Sequence, residues 1–583
     1  MADELTNPFP SAVRDAFPPT PTEAWLERVA ADLRGAPPDR LTWQMPEGIA
    51  LRPFYRAEDL DALSVPTLAR PPEARTWKLR QDIQAAEAEA ANRLARRALD
   101  GAADLVGFRL GETDGWPPSS LPHLMAGLPA ERLVLECEVD RVASLRAEAG
   151  AARLTTDALA APDADAALRP LAEDEAWLLA DAAAIHDAGG TAVDELAVAL
   201  GAVSEYLARL RTFGIDPGAA AARLRIRLGA GPRYFVEIAK LRALRALLPH
   251  VLDAYDAGTP ELPVEVVTSR WTMTAYDPHT NLLRATTAAA AALVGGCREL
   301  IVRPHDAATG LPSDDALRLA RNLARILQHE AHLDAVEDPA AGSYYAEILT
   351  DSLARTAWTH FQEMESAGGL VAHRHSGALG ARLAEARERQ HEALNTRRRT
   401  LIGTTNYPDS EESRLGALAG ADGPPRAATP FEQVRLRTER HAQAHGAPPT
   451  VLLYLFGDPV MANARATFAL NFLGCGGFHV LQHDPAGDAS NLADALAETR
   501  PDAVVLCSAD AEYAGALAAF RGHAADAAGS PLLLVAGNPD DIPGDLGGEV
   551  LFIHRRSPLI ETLTALQQRL GITPDDDHPP LAR

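Results

Sequence analysis

LRIRLGAGPRYFVEIAKLRALRALL, from Leu224 to Leu248, sets a short apolar run directly before a long helical one. LRIRLGAG reads as a strand. After it, Leu241, Leu244, Leu248, Val251 and Tyr255 keep a 3.6-residue beat that stops at Gly258. The same alternation recurs on both sides. DLVGFRL from Asp104, RLVLECEV from Arg132, WLLADAAAI from Trp177, EVVTS from Glu265 and ELIVRP from Glu299 are further candidate strands, several of them separated by helical stretches. Repeated strand–helix units over residues 75–407 predict an α/β fold with a parallel sheet, most economically a TIM-type (β/α)8 barrel. An open doubly wound sheet has the same periodicity, so both remain open on pattern alone.

Outward from this unit the pattern changes. Residues 1–74 do not resemble a domain: Thr20-Pro21-Thr22-Glu23 has the spacing of a capped helix start, Trp25, Val29 and Leu33 recur at helical spacing, and Gly35 supplies a stop. A proline-punctuated stretch follows to about Arg70, giving an extended arm that either wraps its own domain or reaches a partner. On the other side, residues 408–448 begin with the charged, turn-rich stretch Pro408–Pro430 and read as a linker. Over residues 449–583 the runs TVLLYLF, GFHVL, DAVVLC, PLLLV and EVLFI alternate with helix-length segments, as in a flavodoxin-like doubly wound domain. DDDHPPLAR closes the chain as a tail.

With 583 residues the chain is long enough for two large domains, and 47% hydrophobic content supplies their cores. Lys and Arg number 55 against 80 Asp and Glu, a formal net charge of −25 that repels phosphate backbones and argues against nucleic acid as a partner. No uncharged apolar stretch reaches the length of a membrane span. MADELTNPFP lacks the pattern of a secretory or transit leader, so the expected location is cytoplasmic. Cys137, Cys297, Cys475 and Cys507 lie too far apart for a Cys-x-x-Cys zinc site or a disulfide framework.

Generic catalytic motifs are scarce. There is no Gly-x-x-x-x-Gly-Lys, no His-Glu-x-x-His and no Gly-x-Ser-x-Gly. His329 and His332 have a spacing that presents two imidazoles to one metal on a helix, but no third ligand is apparent; the ordinary surface-helix reading is preferred, and likewise for His373 and His375. Gly474-Cys475-Gly476-Gly477 reads as a helix stop and turn, since it does not open a helix as a phosphate cradle does.

Four longer blocks carry a resemblance. MPEGIALRPFY (Met45–Tyr55), RLGAGPRYFVEIAKLRALRALL (Arg227–Leu248), WTMTAYDPHTNLLRATTAA (Trp271–Ala289) and EDPAAGSYYAEILTDSLARTAWTHFQEMESAGGL (Glu337–Leu370) resemble, in order, blocks of the acyl-CoA mutase family to which methylmalonyl-CoA mutase belongs. The resemblance implies a (β/α)8 barrel that holds an acyl-CoA, followed by a flavodoxin-like cobalamin domain. In an active member, adenosylcobalamin breaks its cobalt–carbon bond between the two, and the protein supplies a lower nitrogen ligand to cobalt and a sealed site for the radical.

The family's function-bearing positions depart in this chain. The cobalamin motif Asp-x-His-x-x-Gly aligns with GDPVMANA, keeping Asp458 but placing Val460 at the histidine and Asn463 at the glycine. Valine has no lone pair for cobalt; Met461 next door offers only a thioether. The Ser-x-Leu element reads Ser508-Ala509-Asp510, with a carboxylate where a cofactor tail would pack. In the barrel, AAIHDAGG places Ala183 and Ala184 at the family's tyrosine and histidine. His186 lies two residues on; in a strand that shift keeps the face, which leaves it open as a substitute. The His-Thr-Asn block aligns with Ile301-Val302-Arg303, and the arginine–glycine–proline–tyrosine block has no counterpart around ARTWKLRQDI. The resemblance therefore implies a chain with no catalytic residues, no metal and no cobalamin of its own. It would be the small structural subunit of a heterodimer whose catalytic large subunit holds adenosylcobalamin and isomerises methylmalonyl-CoA to succinyl-CoA. A stand-alone regulator or chaperone-like binding module of a mutase, and an isomerase with an unorthodox cobalamin site, are the alternatives.

Overall fold

The computed structural model describes residues 20–63, 77–111, 115–172, 174–418, 425–483, 492–524, 531–542 and 550–572, together with Ala16. The tail DDDHPPLAR and part of the arm, residues 64–76, lie outside the described residues.

Eight parallel strands close into a barrel: β1 (Lys78–Asp82), β2 (Leu105–Leu110), β3 (Leu133–Cys137), β4 (Arg153–Thr156), β5 (Trp177–Asp181), β6 (Leu224–Ala230), β7 (Val264–Thr268) and β8 (Glu299–Ile301), with β8 pairing back onto β1. Closure settles the choice that periodicity left open. Side chains alternate along each strand, and the outward set, such as Leu224, Ile226 and Leu228 on β6, joins the helices in one large apolar core. The helices include α2 (Ala192–Thr212), α3 (Tyr234–Ala254) and α4 (Thr280–Gly295), followed by α5 (Tyr344–Ser366) and α6 (Ala378–Asn395). Thr191 starts α2 with a capping box, its hydroxyl accepting from Asp194 N and the Asp194 carboxylate accepting from Thr191 N.

Two strands, β1 and β4, were not anticipated. KLRQD and RLTT are too polar to read as buried strands, because their inward positions carry Arg80 and Arg153 into the barrel interior. WLLADAAAI proves to be a strand only to Asp181; Ala183–Asp187 is a short helix.

Before the barrel, helix α1 (Thr22–Asp32) starts at Thr22, with Pro21 as its N-cap and no capping side chain; none of its residues is buried. Its Trp25 meets Phe54 edge-on at 4.0 Å. A small ribbon pairs Trp43–Gln44 with Ala50–Leu51 around Gly48, whose φ of +79° suits the turn. Met45, Ile49 and Leu51 are buried in the barrel's own core, so this half of the arm wraps its own domain.

After the barrel, the span 408–448 read as a linker contains helix α7 (Thr429–His445), with Pro430 in its first turn and Phe431 and Val434 buried. Then β9 (Thr450–Leu455), β10 (His479–His483), β11 (Ala503–Cys507), β12 (Leu532–Val535) and β13 (Leu551–Phe552) form an all-parallel sheet in the order β10-β9-β11-β12-β13. Both faces are covered. Val451, Leu453 and Leu455 of β9 pack with α8 (Pro459–Gly474) and α9 (Leu559–Arg569), while Leu452 and Tyr454 pack with Leu492, Tyr513 and Leu517 on the other side.

The barrel and this sheet share a seam. Trp271, just after β7, is buried in the core of the C-terminal unit. Ala275 N donates to Glu432 at 2.7 Å, Asn395 Nδ2 donates to Glu561 at 2.8 Å, and Arg397 lies over the rings of Phe468 and Phe472.

Among the described residues no helix is long and apolar enough to cross a membrane.

Candidate functional site

Barrels of this kind are usually packed inside with branched aliphatic side chains. This one is packed with ions. Arg225 and Arg227 are two apart on β6 and therefore share the inward face, where they meet Glu265 of β7 and Glu299 of β8. Arg225 Nε donates to Glu265 at 2.6 Å and its Nη2 to Glu299 at 3.2 Å; Arg227 Nη2 donates to Glu265 at 2.9 Å. Arg153 of β4 places both terminal nitrogens on Glu299, at 2.8 and 2.7 Å. Arg80 of β1 bridges Asp82 at 2.6 Å, Glu299 at 3.4 Å and Glu136 of β3, and Glu136 also pairs with Arg227.

The electrostatics follow from this mutual contact. Burial by itself would raise the Glu265 carboxyl, but Arg227, Arg80, Arg225 and Arg153 overcome it and hold the group down at about 2. Glu136 is likewise held well below the usual range, its burial outweighed by Arg227 and Arg80. Such a lattice contributes little over an apolar core of the same volume, yet removing one member strands an opposite charge. It fills the interior of the barrel with paired charge.

In a barrel of this type the reacting residues stand at the C-terminal ends of the strands. Here Ala183, Val267 and Ile301 come together in a small dry cluster at the ends of β5, β7 and β8. The structure thus joins two of the three positions flagged in the sequence, but as apolar side chains; Ala184 beside them is exposed. His186 lies on the short helix, so the same-face argument for a strand does not hold. Its ring packs against Gly229, where a Cβ would stand 2.6 Å away, and its Nδ1 is 3.4 Å from Glu195. Glu195 belongs to a clamp that sequence reading missed: it accepts from Lys240 Nζ at 2.6 Å, and Lys240 donates onward to Gly229 O at 2.6 Å. His186 therefore stands over a structural ion pair. His329 ends its helix and His332 lies beyond it at φ +51°, and no cluster of three or more potential metal ligands exists among the described residues.

At the C-terminal ends of the second sheet's strands, Asp458 caps α8, accepting from Val460 N at 2.8 Å and Met461 N at 3.2 Å. Val460 is 77% exposed. Asn463 turns back to its own helix, Nδ2 donating to Pro459 O at 2.7 Å. The Ser508 hydroxyl donates to Phe456 O at 2.7 Å and also bonds Glu512. Asp510 is paired with Arg465 at 2.9 Å and partly exposed, so its charge is neither fully buried nor unmatched. Tyr513, absent from the sequence reading, is fully buried over the strand ends; its hydroxyl donates to Ala536 O at 2.7 Å and accepts from Ser508 N at 3.0 Å. Tyr513 and Glu512 thus take up the hydrogen-bonding groups at the ends of β9, β11 and β12. Gly474–Gly477 is a helix end and turn, with Gly477 at φ +75°.

The blocks that carried the resemblance meet one another in space. Glu47 of the first accepts from Arg233 of the second, Nη1 to Oε2 at 3.0 Å, and from Ala192 N at 3.3 Å. Arg242 of the second is fully buried and donates to Glu347 of the fourth at 2.8 Å and to Asp338 at 3.2 Å.

The fold and these contacts define a closed parallel barrel whose distant sequence blocks are tied by ion pairs, with an appended parallel α/β unit. Residues 178–447 match the family model described as methylmalonyl-CoA mutase. The chain is 31% identical to the methylmalonyl-CoA mutase small subunit of Porphyromonas gingivalis, over 95% of this chain and 98% of that protein. It is 31% identical to the protein of the same name from Streptomyces virginiae, over 95% and 98%. It is also 33% identical to the methylmalonyl-CoA mutase large subunit of Propionibacterium freudenreichii, over 47% of this chain and 38% of that one. The chain belongs to the methylmalonyl-CoA mutase family.

Proposed function

We propose that this chain is the structural small subunit of a heterodimeric, adenosylcobalamin-dependent methylmalonyl-CoA mutase, and that it is catalytically silent. In this reading the large subunit binds the cofactor and isomerises methylmalonyl-CoA to succinyl-CoA, while this chain stabilises it in the cytoplasm. The observation that carries the reading is the fork of Arg153 on Glu299, which fills the barrel axis with charge. An acyl-CoA entering there would have to displace paired ions and leave them desolvated and unmatched.

Three further observations support it. Relatives over nearly the full length bear the name small subunit, and one that matches about half of this chain bears the name large subunit. The mouth positions Ala183 and Ile301 carry no proton donor or acceptor on their side chains. The residues at the strand ends do not fit cobalamin: Val460 offers cobalt no lone pair, Asp458 is committed to its own helix, and Ser508 is bonded to Phe456 and Glu512. On this reading residues 75–407 are the mutase-type barrel, 449–583 a degenerate flavodoxin-like cobalamin-type domain, 408–448 their connection, and 1–74 the arm. Helix Thr22–Asp32, with no buried residue and with Leu26 exposed, is the part of the arm left to reach the partner.

Co-expression with a large homologue that keeps Asp-x-His-x-x-Gly tests the assignment. The expected result is a one-to-one complex by light scattering. Separate elution of the two chains at micromolar concentration contradicts it, since an obligate interface of this class buries more than about 2,000 Å².

A further inference from the structure

A hollow lies outside the barrel interior, between the ends of β7 and β8 and the first turns of α4. Thr268, Ser269, Thr272, Asn281, Arg284 and Arg303 supply its polar lining, and no carboxylate belongs to it. Its hydrogen-bonding groups are out of balance. Thr268 Oγ1 accepts from Arg303 N at 2.9 Å and Ser269 Oγ accepts from Thr272 N at 3.2 Å. Among the described residues, neither hydroxyl hydrogen has an acceptor, and the Thr272 hydroxyl makes no hydrogen bond. The hollow is rich in donors and poor in acceptors.

It also has surplus positive charge. Arg284 Nη1 donates to Asn281 Oδ1 at 2.7 Å and Thr274 Oγ1 at 2.9 Å, and Nη2 donates to Ile402 O at 2.9 Å. All three acceptors are neutral, and among the described residues Arg284 forms no ion pair. Burial pushes its guanidinium down to about 10, with Asp277 and Glu432 offsetting only part of that from a distance. Arg303 has a partner, but Asp187 is shared: one oxygen takes Arg303 Nη2 at 2.7 Å and the other takes the Arg270 and Trp271 backbone N–H groups at 2.7 and 3.3 Å.

We propose that this hollow binds a monovalent anion of chloride size, held by Arg284 and by the hydroxyls of Thr268, Ser269 and Thr272. The hollow is small, and its lining offers hydroxyl donors and an uncompensated guanidinium but no carboxylate, which suits a small monovalent anion. The anion supplies the acceptor that these donors lack and the counter-charge that Arg284 lacks, and it ties α4 to the strand ends.

The test uses the full chain with bromide as the probe. Crystals soaked in sodium bromide, measured at the bromine absorption edge, are expected to show an anomalous peak within hydrogen-bond distance of Arg284. In solution, sodium chloride and sodium bromide are expected to raise the unfolding midpoint saturably and above sodium gluconate at equal ionic strength. Arg284→Gln removes the halide-specific rise. Should that variant fail to fold, Thr272→Val keeps the shape and weakens halide binding about tenfold. No bromine peak in the hollow, or equal effects of halide and gluconate, overturns the proposal.

Discussion

Arg153 and Glu299 stand on β4 and β8, opposite each other in an eight-stranded barrel, and their two hydrogen bonds of 2.8 and 2.7 Å span the space between. A guanidinium and a carboxylate matched in this planar, bidentate way form the strong kind of ion pair. Glu299 also serves Arg80 and Arg225, so its charge balances more than one cation.

Glu299→Gln should therefore destabilise the fold by about 3 to 5 kcal/mol, because it leaves buried guanidiniums without their counter-ion. Replacing Arg153 and Glu299 together by Met should restore part of the loss, but not all of it, since Arg80 and Arg225 remain. Urea unfolding of the three proteins checks both statements.

The pH dependence follows from Glu265. Its carboxyl is held at about 2 in the folded chain against an ordinary value of 4.5, so its contribution to stability is fully present above 4.5. That contribution is lost as pH falls from 4.5 through about 2. Unfolding free energy measured across this range should drop more steeply for the native protein than for Glu265→Gln, which should be less stable at neutral pH and flatter in acid.

The four cysteines should be inert in the folded state. All are buried, and burial pushes the thiols of Cys137, Cys475 and Cys507 up to about 12. A thiol-titrating disulfide reagent at pH 8 should find no fast-reacting group before unfolding and four after it.

Val460→His restores an imidazole at the position of the lower ligand, yet it should not restore cobalamin binding. Tyr513, buried above the strand ends, and the Ser508–Glu512 bond still occupy the hydrogen-bonding groups there. Equilibrium dialysis against hydroxocobalamin checks this, and stoichiometric binding by the variant would show that the histidine alone was missing.

Much of the architecture is legible in the sequence, and the parts that are not share a physical cause. Strands with one apolar face, such as Leu224–Ala230, are evident because Leu224, Ile226 and Leu228 pack outward. Lys78–Asp82 and Arg153–Thr156 are not, because an ionic interior places charge where apolar residues are expected. The signal was present in LRIRL, where arginine takes every second position of a strand that must be buried on both faces. Ala183 and Ile301 were legible as departures from a family pattern. That they fall into one cluster with Val267 needed the closed barrel. Tyr513 carries no motif, and only its burial shows what it does. The same-face argument for His186 fails because an alanine-rich run reads equally well as strand or helix.

The central claim is that this chain holds neither cofactor nor substrate and acts through its partner. The most direct test is a cobalamin titration, followed by absorbance and by turnover of methylmalonyl-CoA, on this chain alone, on a large homologue alone and on the two co-expressed. The account predicts no binding and no turnover by this chain alone, with one cobalamin per heterodimer and turnover by the pair. Cobalamin binding together with isomerisation of any acyl-CoA by this chain alone would contradict it.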